Sequence, residues 1–466
     1  MMQMKSKKIL NTEVSWEGFI KQRIHPSLGI FKNDNQEHFY FGVTLPSKIS
    51  YIDGDDIVDD EQNNFYMVGD NGKLYDPKEL EEEIILKVDP NEFNRWDRDS
   101  IHNFIKDKKE NKLPIDRYEV FNELKEIIKN HIGLNKEDEY DVLTLWIIGT
   151  YMHTCFNSYP YLFFYGAKGC GKSNALNIIS YFSFNGMFLA KPSASNVFRL
   201  VNTLQCTLAI DELDFTNLKK DDDMKDLHAI LLSGYKKDAC VPRSSDTDLD
   251  KIKMYPIYSP KALAGSKSLA DMIKDRSIEF IMIKSNSNYP AFLESVMSTE
   301  LRDKLYILSL EIWKDVVREY DTLNGESRIQ GRDREKWQSL LALGNCFQMD
   351  YNKLLDFALF KINEHLEEQM IDSEERNMLR VLNGFIHGDQ WYYIKDIKDS
   401  YVDYLRVIDE NVEYIKERYV SVLIKKIGIV DKKSLTHGKA KVFIKREALN
   451  NILRSYGFKE IDINLG

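Results

Sequence analysis

Cysteine is scarce in this sequence of 466 residues, and the few cysteines present are scattered. There are five, an odd number, and no two of them form a C-x-x-C pair: Cys155, Cys170, Cys206, Cys240 and Cys346. This pattern excludes a disulfide scaffold and a structural zinc site built on paired cysteines. It predicts a reducing, cytoplasmic setting.

The sequence also lacks an apolar leader and an uninterrupted membrane span. The N-terminal lysines are followed by Asn11, Thr12 and Glu13 rather than by an apolar stretch, so no signal peptide is expected. Residues 142–167 carry no charge over 26 positions, but Gly149 and Pro160 interrupt them. We expect a buried helix followed by a buried strand there, and no membrane partner.

An excess of basic residues is missing as well. The 64 lysines and arginines are outnumbered by 74 acidic residues, for a net charge of −10. This excludes a wholly basic nucleic-acid coat protein, although a net sum leaves room for a local basic patch.

What is present is enough apolar sequence for several domains. Hydrophobic residues make up 43% of the chain, which excludes wholesale disorder, and the length suits about three domains. We place them at residues 1–110, 111–370 and 371–466. The first alternates β-rich pieces with turn signals between Glu37 and Leu74, which predicts a small β-containing domain whose role the sequence does not reveal.

After Pro160 short apolar segments alternate with helical ones, which predicts an α/β fold with a parallel sheet. The predicted strands are Tyr161–Tyr165, Met187–Ala190, Cys206–Ile210, Lys253–Tyr258 and Ser277–Ile283.

A glycine-rich motif follows the first of these strands. It fits G-x-x-x-x-G-K-[ST] and consists of Gly166, Ala167, Lys168, Gly169, Cys170, Gly171, Lys172 and Ser173. An apolar strand enters it and a helical segment beginning with Asn174 leaves it, as a phosphate-binding P-loop requires; the alternative is a structural turn. We expect ATP at this loop, with Lys172 on the β- and γ-phosphates and Ser173 on Mg²⁺.

Two carboxylates follow the third predicted strand, at Asp211 and Glu212. Ligand sites in open α/β sheets lie at the carboxyl ends of the strands. We expect Asp211 to hold Mg²⁺ and Glu212 to deprotonate the attacking water, although ordinary strand ends often carry acids too.

One arginine stands directly before the last predicted strand. Arg276 could project into a neighbouring subunit and stabilise charge on the γ-phosphate, or form a surface ion pair with Asp275 or Glu279. The residues alone leave these alternatives open.

The order of these motifs along the chain resembles the core of AAA+ ATPases. The order is the P-loop, Asp211-Glu212, the segment KMYPIYSPKALAG and then DRSIEFIMI. The sequence is most similar to the minichromosome-maintenance-like branch, and within it to replicative helicases of mobile elements such as staphylococcal cassette chromosomes and pathogenicity islands. The resemblance covers residues 161–347. It implies a P-loop core with a helical lid and a C-terminal winged helix, and it matches nothing in the N-terminal part.

The resemblance also implies roles for single residues. Arg276 occupies the arginine-finger position. At the end of the fourth strand, where this branch usually has asparagine, Ser259 takes the sensor-one position. For sensor two, an arginine opening a lid helix, the candidates are Arg332 and Arg334, of which we favour Arg334 over its alternative as a solvated helix end. The family further implies a ring, a hexamer by analogy, with ATP bound between subunits.

Resembling helicases carry a pore hairpin between the third and fourth strands that grips DNA. Here that segment supplies Lys236, Lys237, Arg243, Lys251 and Lys253 around a polar turn, which suits phosphate contacts without sequence reading. Solvated lysines on a loop are the alternative.

A second basic segment lies near the C-terminus. Residues 421–446 carry eight basic residues against Asp431 alone, including Lys425, Lys426, Lys432, Lys433, Lys439 and Lys441. The pattern predicts a helix and a basic hairpin that bind DNA as a winged helix does. A folded module with a solvated face, or one that contacts protein, fits the same pattern.

Together these patterns predict an ATP-driven DNA helicase or translocase that acts in the replication of a mobile genetic element. Two rival functions remain. One is an AAA+ protein-remodelling machine, which apolar or aromatic residues on the pore loop would favour. The other is an ATP-switched initiator that binds DNA without unwinding it.

Overall fold

The computed structural model describes most of the chain. The described residues are 8–14, 23–53, 56–80, 96–213, 222–244, 252–265, 271–284, 289–292, 297–371, 374–407, 412, 415–436, 439–455 and 458. They form two compact units, Met1–Ala358 and Leu359–Gly466.

The first unit begins with an antiparallel sheet of five strands: β1 (Lys8–Val14), β2 (Arg23–Asn33), β3 (Gln36–Asp53), β4 (Asp56–Gly69) and β5 (Leu74–Tyr75). Strand β3 is long enough to pair with β2 along its first half and with β1 along its second. Strand β4 covers its other edge and pairs in turn with β5.

Aromatic side chains join this sheet to the rest of the first unit. Phe41 meets the ring of Tyr306 edge-on, with centroids 4.9 Å apart, and Trp96 stacks on the same ring at 5.0 Å. All three rings are buried. Such pairs stabilise a core beyond the area they bury, so the N-terminal sheet shares a core with the helices behind it.

Three helices follow: α1 (Arg98–Lys109), α2 (Arg117–His131) and α3 (Glu137–Thr150). Asp97 and Asp116 cap the first two, because each carboxylate accepts backbone N–H groups of the first turn. Helix α3 is buried on all its faces from Val142 onward. It leads to a buried strand, as predicted for the uncharged run. No helix in the described ranges is long and apolar enough to cross a membrane.

The centre of the first unit is a parallel sheet with helices between its strands. Its elements are β6 (Tyr161–Tyr165), α4 (Lys172–Phe182), β7 (Met187–Ala190), α5 (Ala194–Leu204), β8 (Leu208–Asp211), α6 (Asp222–Ser233), β9 (Cys240–Ser244), β10 (Ile252–Pro256), β11 (Lys261–Gly265), α7 (Asp271–Lys274) and β12 (Ser277–Ile281). The strand order is β12-β6-β11-β8-β7. The predicted α/β class with a parallel sheet is therefore confirmed.

The fourth strand of this sheet differs from the prediction. Of residues 253–258, which we expected to fill that position, those up to Pro256 belong to β10, which pairs antiparallel with β9 in a separate hairpin. Strand β11 instead lies between β6 and β8. All five of its residues are buried, whereas β10 is largely exposed.

Three helices complete the first unit, with the division between units falling inside the third: α8 (Thr299–Thr322), α9 (Gly331–Cys346) and α10 (Tyr351–Ile371). Helix α9 packs on α3, and α8 packs on α2.

The second unit is a small helical module with a three-stranded sheet. Its elements are α11 (Glu374–Phe385), β13 (Gln390–Tyr393), α12 (Ile394–Val407), α13 (Glu417–Ile427), β14 (Val430–Thr436), β15 (Lys439–Ile444) and α14 (Arg446–Ser455). The sheet order is β13-β15-β14. Its core is formed by residues such as Leu382, Ile397, Leu423 and Ile444. The predicted helix followed by a basic hairpin corresponds to α13, β14 and β15.

Candidate nucleotide-binding site

The P-loop connects the carboxyl end of β6 to the first turn of α4. Gly169 and Gly171 have φ angles of 81° and 95°, which favour glycine, and Gly171 is the N-cap of α4. A Cβ at Gly166 would collide with the carbonyl oxygen of Met282. The glycines of the motif thus permit a tight loop at a helix N-terminus, where backbone N–H groups can bind phosphate oxygens.

The Lys172 ammonium group lies against this loop. Its Nζ donates hydrogen bonds to the carbonyl oxygens of Gly166 at 2.8 Å and Ala167 at 2.9 Å. The Cys170 thiol, 3.7 Å from Nζ, is buried beneath the loop. The positive charge is therefore placed at the centre of the loop, where phosphate oxygens can replace the carbonyl oxygens as acceptors.

Ser173 and Asp211 meet across the carboxyl edge of the sheet. The Ser173 hydroxyl donates to Asp211 Oδ2 at 2.5 Å, and Asp211 Oδ1 accepts the backbone N–H of Glu212 at 2.8 Å. A hydroxyl and a carboxylate in contact supply the hard oxygen donors that Mg²⁺ prefers. The two side chains are therefore suited to hold a magnesium ion, and their role as its ligands stays a prediction.

Glu212 follows Asp211 in an unusual backbone conformation. Its φ angle is 55°, in the left-handed region that glutamate rarely adopts. The carboxylate is largely exposed and pairs with Lys191 Nζ at 3.0 Å. A non-glycine residue held in this region costs about 1–3 kcal/mol of conformational free energy. Residues strained in this way cluster at functional sites.

Lys191 is a site residue that the sequence reasoning missed. It directly follows β7, so it lies at the same edge of the sheet as Asp211. The signal that could have identified it was its position, since it is a charged residue at the carboxyl end of a predicted strand.

These residues line a cleft of about 740 Å³. The lining residues are Lys168, Gly169, Gly171, Lys172, Ser173, Asn174, Lys191, Asp211, Glu212, Leu213 and Gly265. Asn174, predicted to bind the cofactor, also anchors α4: its amide donates to His131 O at 2.8 Å and accepts from Phe292 N at 2.7 Å.

Ser259 lies far from this cleft, which corrects its predicted sensor-one role. It precedes β11 and so stands at the amino edge of the sheet, whereas the cleft is at the carboxyl edge. A five-residue strand separates the two edges by about 13 Å. Ser259 is fully buried, and its hydroxyl accepts from Lys261 Nζ. The residue at the carboxyl end of β11 is Gly265.

Lys261 is a fully buried lysine that holds the base of the hairpin. Its Nζ donates to the carbonyl oxygens of Gly234, Ile257 and Ser259 at 3.0–3.3 Å. Gly234 precedes the hairpin, and Ile257 and Ser259 follow it. The ammonium thus fastens both ends of the hairpin to the central strand, and burial lowers its pKa to about 7.

We expect this lysine to give the fold a distinctive pH dependence. Between its folded pKa near 7 and the ordinary 10.5, the unfolded chain holds a proton that the folded chain has released. Stability should therefore rise with pH, by ~2 kcal/mol between pH 7 and 9. Urea unfolding of wild type and Lys261→Met at both pH values measures this, since the variant should lack that increment. Identical pH profiles would contradict it.

Arg276 lies at the amino edge of the sheet, away from the cleft of its own chain. Its Nε donates to Leu232 O at 2.7 Å, and a second nitrogen contacts Met272 O. The guanidinium also lies over the ring of Tyr235 at 5.3 Å. An ion pair of Arg276 with Asp275 or Glu279 was the predicted alternative, and neither is among the described contacts of Arg276. Asp275 pairs with Arg332 at 2.9 Å, and Glu279 lies 3.6 Å from Lys274.

Arg334 is also absent from the cleft of its own chain. Its guanidinium donates to the backbone carbonyls of Asn324, Glu326 and Ile329, which fixes the turn before α9. The start of α9 lies at the amino edge of the sheet, because Glu335 there binds Tyr235 and Lys236. Arg334 therefore does not reach the nucleotide cleft of its own chain as sensor two. It stabilises the turn before α9 instead.

The hairpin cations are already engaged by the protein. Lys236 pairs with Glu335 at 2.6 Å, and Arg243 pairs with Asp226 at 2.7 Å while lying over Phe198. Lys253 lies over the ring of Tyr255. Lys237 is exposed, and Lys251 falls outside the described residues.

The opposite face of the hairpin is apolar. Register and alternation place Arg243 and Lys253 on the face that packs on α5. Pro242, Ile252 and Met254 lie on the other face, with Ile252 69% and Met254 54% exposed. An antiparallel strand pair is therefore present in the predicted hairpin segment, with Arg243 and Lys253 on the face toward α5, where the Lys253 side chain remains exposed. A role of this hairpin in gripping DNA stays a prediction.

The predicted C-terminal cations lie on α13 and the adjoining hairpin. Lys425 and Lys426 are exposed on α13, where Lys426 contacts Glu375. Lys432 and Lys433 are exposed on β14, and Lys441 lies on β15. The side chain of Lys439 is outside the described part.

Comparisons with known proteins give little support beyond this geometry. No protein-family model and no curated protein matches the chain. A structure described as "SCCmec type IV Cch - active helicase" is 10% identical, with a TM-score of 0.37, and the match covers 97% of this chain and all of that one. Cdc6p from Pyrobaculum aerophilum is 10% identical over 69% of this chain and 95% of that one, with a TM-score of 0.19.

DNA-bound ORC from Drosophila is also 10% identical, over 79% of this chain and 96% of that one, with a TM-score of 0.18. Likenesses with such TM-scores do not show what this chain does. The assignment to the minichromosome-maintenance branch stays a prediction.

Proposed function

We propose that this chain is a magnesium-dependent AAA+ ATPase that drives a DNA helicase or translocase. The observation that carries the proposal is the convergence of Lys172, Ser173, Asp211 and Glu212 on one cleft at the carboxyl edge of a parallel sheet. A P-loop lysine, a hydroxyl beside a carboxylate and a second carboxylate are the parts that P-loop ATPases use.

Each residue has a task in this cleft. Backbone N–H groups of the loop and Lys172 would bind the phosphates, and Ser173 and Asp211 would hold Mg²⁺, which neutralises charge on the phosphate oxygens. Glu212 would accept the proton of the attacking water. To do so its carboxylate must leave Lys191, so the ion pair between them would keep Glu212 inactive until ATP is in place.

An arginine from a second subunit would complete the site. The described lining of the cleft contains three lysines, Lys168, Lys172 and Lys191, but no arginine. Arg276 lies at the opposite edge of the sheet, where it can face a neighbour. We propose a ring, a hexamer by family analogy, in which Arg276 reaches the next subunit's ATP after releasing Leu232 and Met272.

DNA would be contacted at two places. The β9-β10 hairpin would enter the ring's pore, with Lys237, which precedes β9, and Lys253 on β10 as exposed cations. The order of α11, β13, α12, α13 and the β14-β15 hairpin is that of a winged helix, which supports duplex binding through Lys425 and Lys426.

A forked-duplex assay tests the proposed motor. Unwinding should require ATP and fail with a non-hydrolysable analogue, because only turnover moves the strand. Strand separation with the analogue, or DNA binding without any unwinding, would favour the initiator that binds DNA as a switch.

The apolar face of the hairpin favours one rival function. Ile252 and Met254 are the kind of residues with which a ring ATPase grips an unfolded polypeptide, and the cations stand on the other side. Protein remodelling by the same ATPase is therefore the second candidate.

Two matched double variants separate the candidates. If DNA is the substrate, Lys237→Ala with Lys253→Ala should weaken DNA-stimulated ATP hydrolysis several-fold, because two phosphate contacts are lost. Ile252→Ser with Met254→Ser should then have a smaller effect. Remodelling would be supported by two results together. The lysine double variant would keep DNA-stimulated ATP hydrolysis, and the Ile252 and Met254 double variant would lose the stimulation of ATP hydrolysis by an unfolded protein.

A further inference from the structure

The three-stranded sheet of the second unit has an outward face that the nucleotide site does not use. Trp391 and Tyr393 alternate with the buried Tyr392 along β13, so they point to the side away from the core. Trp391 is 39% and Tyr393 is 41% exposed. Two large rings on the solvent side of one short strand are unusual, since single exposed aromatics are the norm.

The strand register brings a third ring and two lysines to the same face. Trp391 pairs with Phe443 and Tyr393 with Lys441, and directly paired residues lie on one side of a sheet. Lys432 on β14 pairs with Phe443 in the same way. The three rings and two lysines together are called the aromatic face below.

Contacts within the aromatic face show that it is preformed. The rings of Trp391 and Phe443 meet edge-on at 5.6 Å, and Lys441 Nζ lies 5.1 Å from the Trp391 ring. Behind them Tyr392, Val442 and Ile444 are buried in the core. The rings therefore stand on a rigid base and lose little conformational entropy when they bind a ligand.

The charge of this face selects the ligand. The described positions that share it are Trp391, Tyr393, Lys432, Ser434, Lys441 and Phe443, and none of them is acidic. Flat rings offer stacking surfaces to bases, and lysines beside them pair with phosphates. A duplex keeps its bases stacked inside the helix, so exposed rings favour a single strand.

We propose that the aromatic face binds single-stranded nucleic acid by stacking bases on Trp391, Tyr393 and Phe443. Lys432 and Lys441 neutralise the backbone beside these rings. This site is distinct from α13, whose Lys425 and Lys426 would contact a duplex. It goes beyond the proposed ATPase and requires neither ATP nor a ring, so Lys172→Ala should retain it.

Intrinsic fluorescence of the full-length chain offers a direct test. The chain has six tryptophans: Trp96, Trp146, Trp313 and Trp337 are at most 4% exposed, Trp391 belongs to the aromatic face, and Trp16 lies outside the described residues. The difference between wild type and Trp391→Phe therefore isolates the signal of Trp391. A single-stranded dT oligonucleotide should quench the emission by stacking on Trp391. Trp391→Phe should lose most of that quenching while retaining the oligonucleotide affinity within a few-fold, because it keeps a ring.

Affinities measured by anisotropy of a labelled dT oligonucleotide complete the test. Loss of a stacking ring weakens binding by about 5- to 150-fold, so we expect that for Tyr393→Ala and a larger loss when Trp391→Ala is added. Tyr118→Ala, at a tyrosine 40% exposed in the first unit, is the matched control. Lys425→Ala should weaken duplex binding but not dT binding.

Two outcomes would overturn the proposal. The first is unchanged dT affinity in the double variant; if that variant also sediments at a smaller mass without DNA, the face contacts a second copy of the chain instead. The second is an equal loss of duplex and dT affinity in the ring variants.

Discussion

Replacing Lys172 with alanine should abolish ATP hydrolysis. Its ammonium group is the positive charge at the centre of the P-loop, held at 2.8–2.9 Å from two loop carbonyls. Losing one preorganised charge contact to the transition state costs about 10²- to 10³-fold in turnover, and we expect at least that. Phosphate release from purified wild type and variant measures the effect.

Lys168 provides a matched control for this experiment. It is a lysine of the same loop that lines the same cleft, but it donates no described hydrogen bond within the loop. Lys168→Ala should therefore change hydrolysis only a few-fold. Full activity in Lys172→Ala would remove the P-loop assignment, and an equal loss in both variants would indicate a general charge effect.

Glu212→Gln and Arg276→Ala should each lose hydrolysis while still binding ATP. Glutamine keeps the shape of Glu212 but cannot accept a proton, and an arginine finger contributes about 10³-fold or more to turnover. Because Arg276 is at the opposite edge of the sheet from the cleft, we expect the two variants to complement each other. A subunit with intact Glu212 would receive Arg276 from a neighbour.

Mixing the two inactive proteins tests this directly. A one-to-one mixture should recover part of the wild-type rate, and nucleotide-binding affinity should stay near wild type in each variant alone. Arg318→Ala, at an exposed arginine that pairs only with Asp315 among the described residues, serves as the control and should be active by itself. A mixture as inactive as its components would show that the site is not shared.

The local motifs were the part of the site that the sequence could predict. The P-loop needs contiguous glycines, a lysine and a serine after an apolar strand, and the carboxylates of Asp211 and Glu212 end another such strand. Both features are set by neighbours in the chain. Their meeting, with Ser173 2.5 Å from Asp211, follows from strand order, which parallel-sheet topology largely fixes.

The identity of the fourth strand could not be predicted from the local sequence. Residues 252–256 alternate and contain tyrosine and methionine, as strands do, whereas KALAG contains small residues and a lysine. Lysine is almost never fully buried, so Lys261 argued against a central strand. Only the carbonyl oxygens that surround its ammonium group, all brought there by the tertiary fold, make that position acceptable.

The same limit applies to the arginines and the hairpin. Arg334 lies in the first turn of a helix, as sensor two requires, but nothing in the local sequence shows that this helix begins at the amino edge of the sheet. Arg243 and Lys253 were counted as cations of a hairpin, and the face on which each lies depends on a register that the segment alone does not specify.

Strand β11 connects the two edges of the sheet within five residues. Gly265 at one end lines the cleft, and Lys261 at the other fastens the hairpin. The Tyr235 ring beside that anchor carries the guanidinium of Arg276. In the proposed ring, the hairpin of each subunit would therefore respond to two ATP molecules, its own through β11 and a neighbour's through Arg276. The position of the hairpin would then depend on the nucleotide at both sites, which would couple hydrolysis in neighbouring subunits.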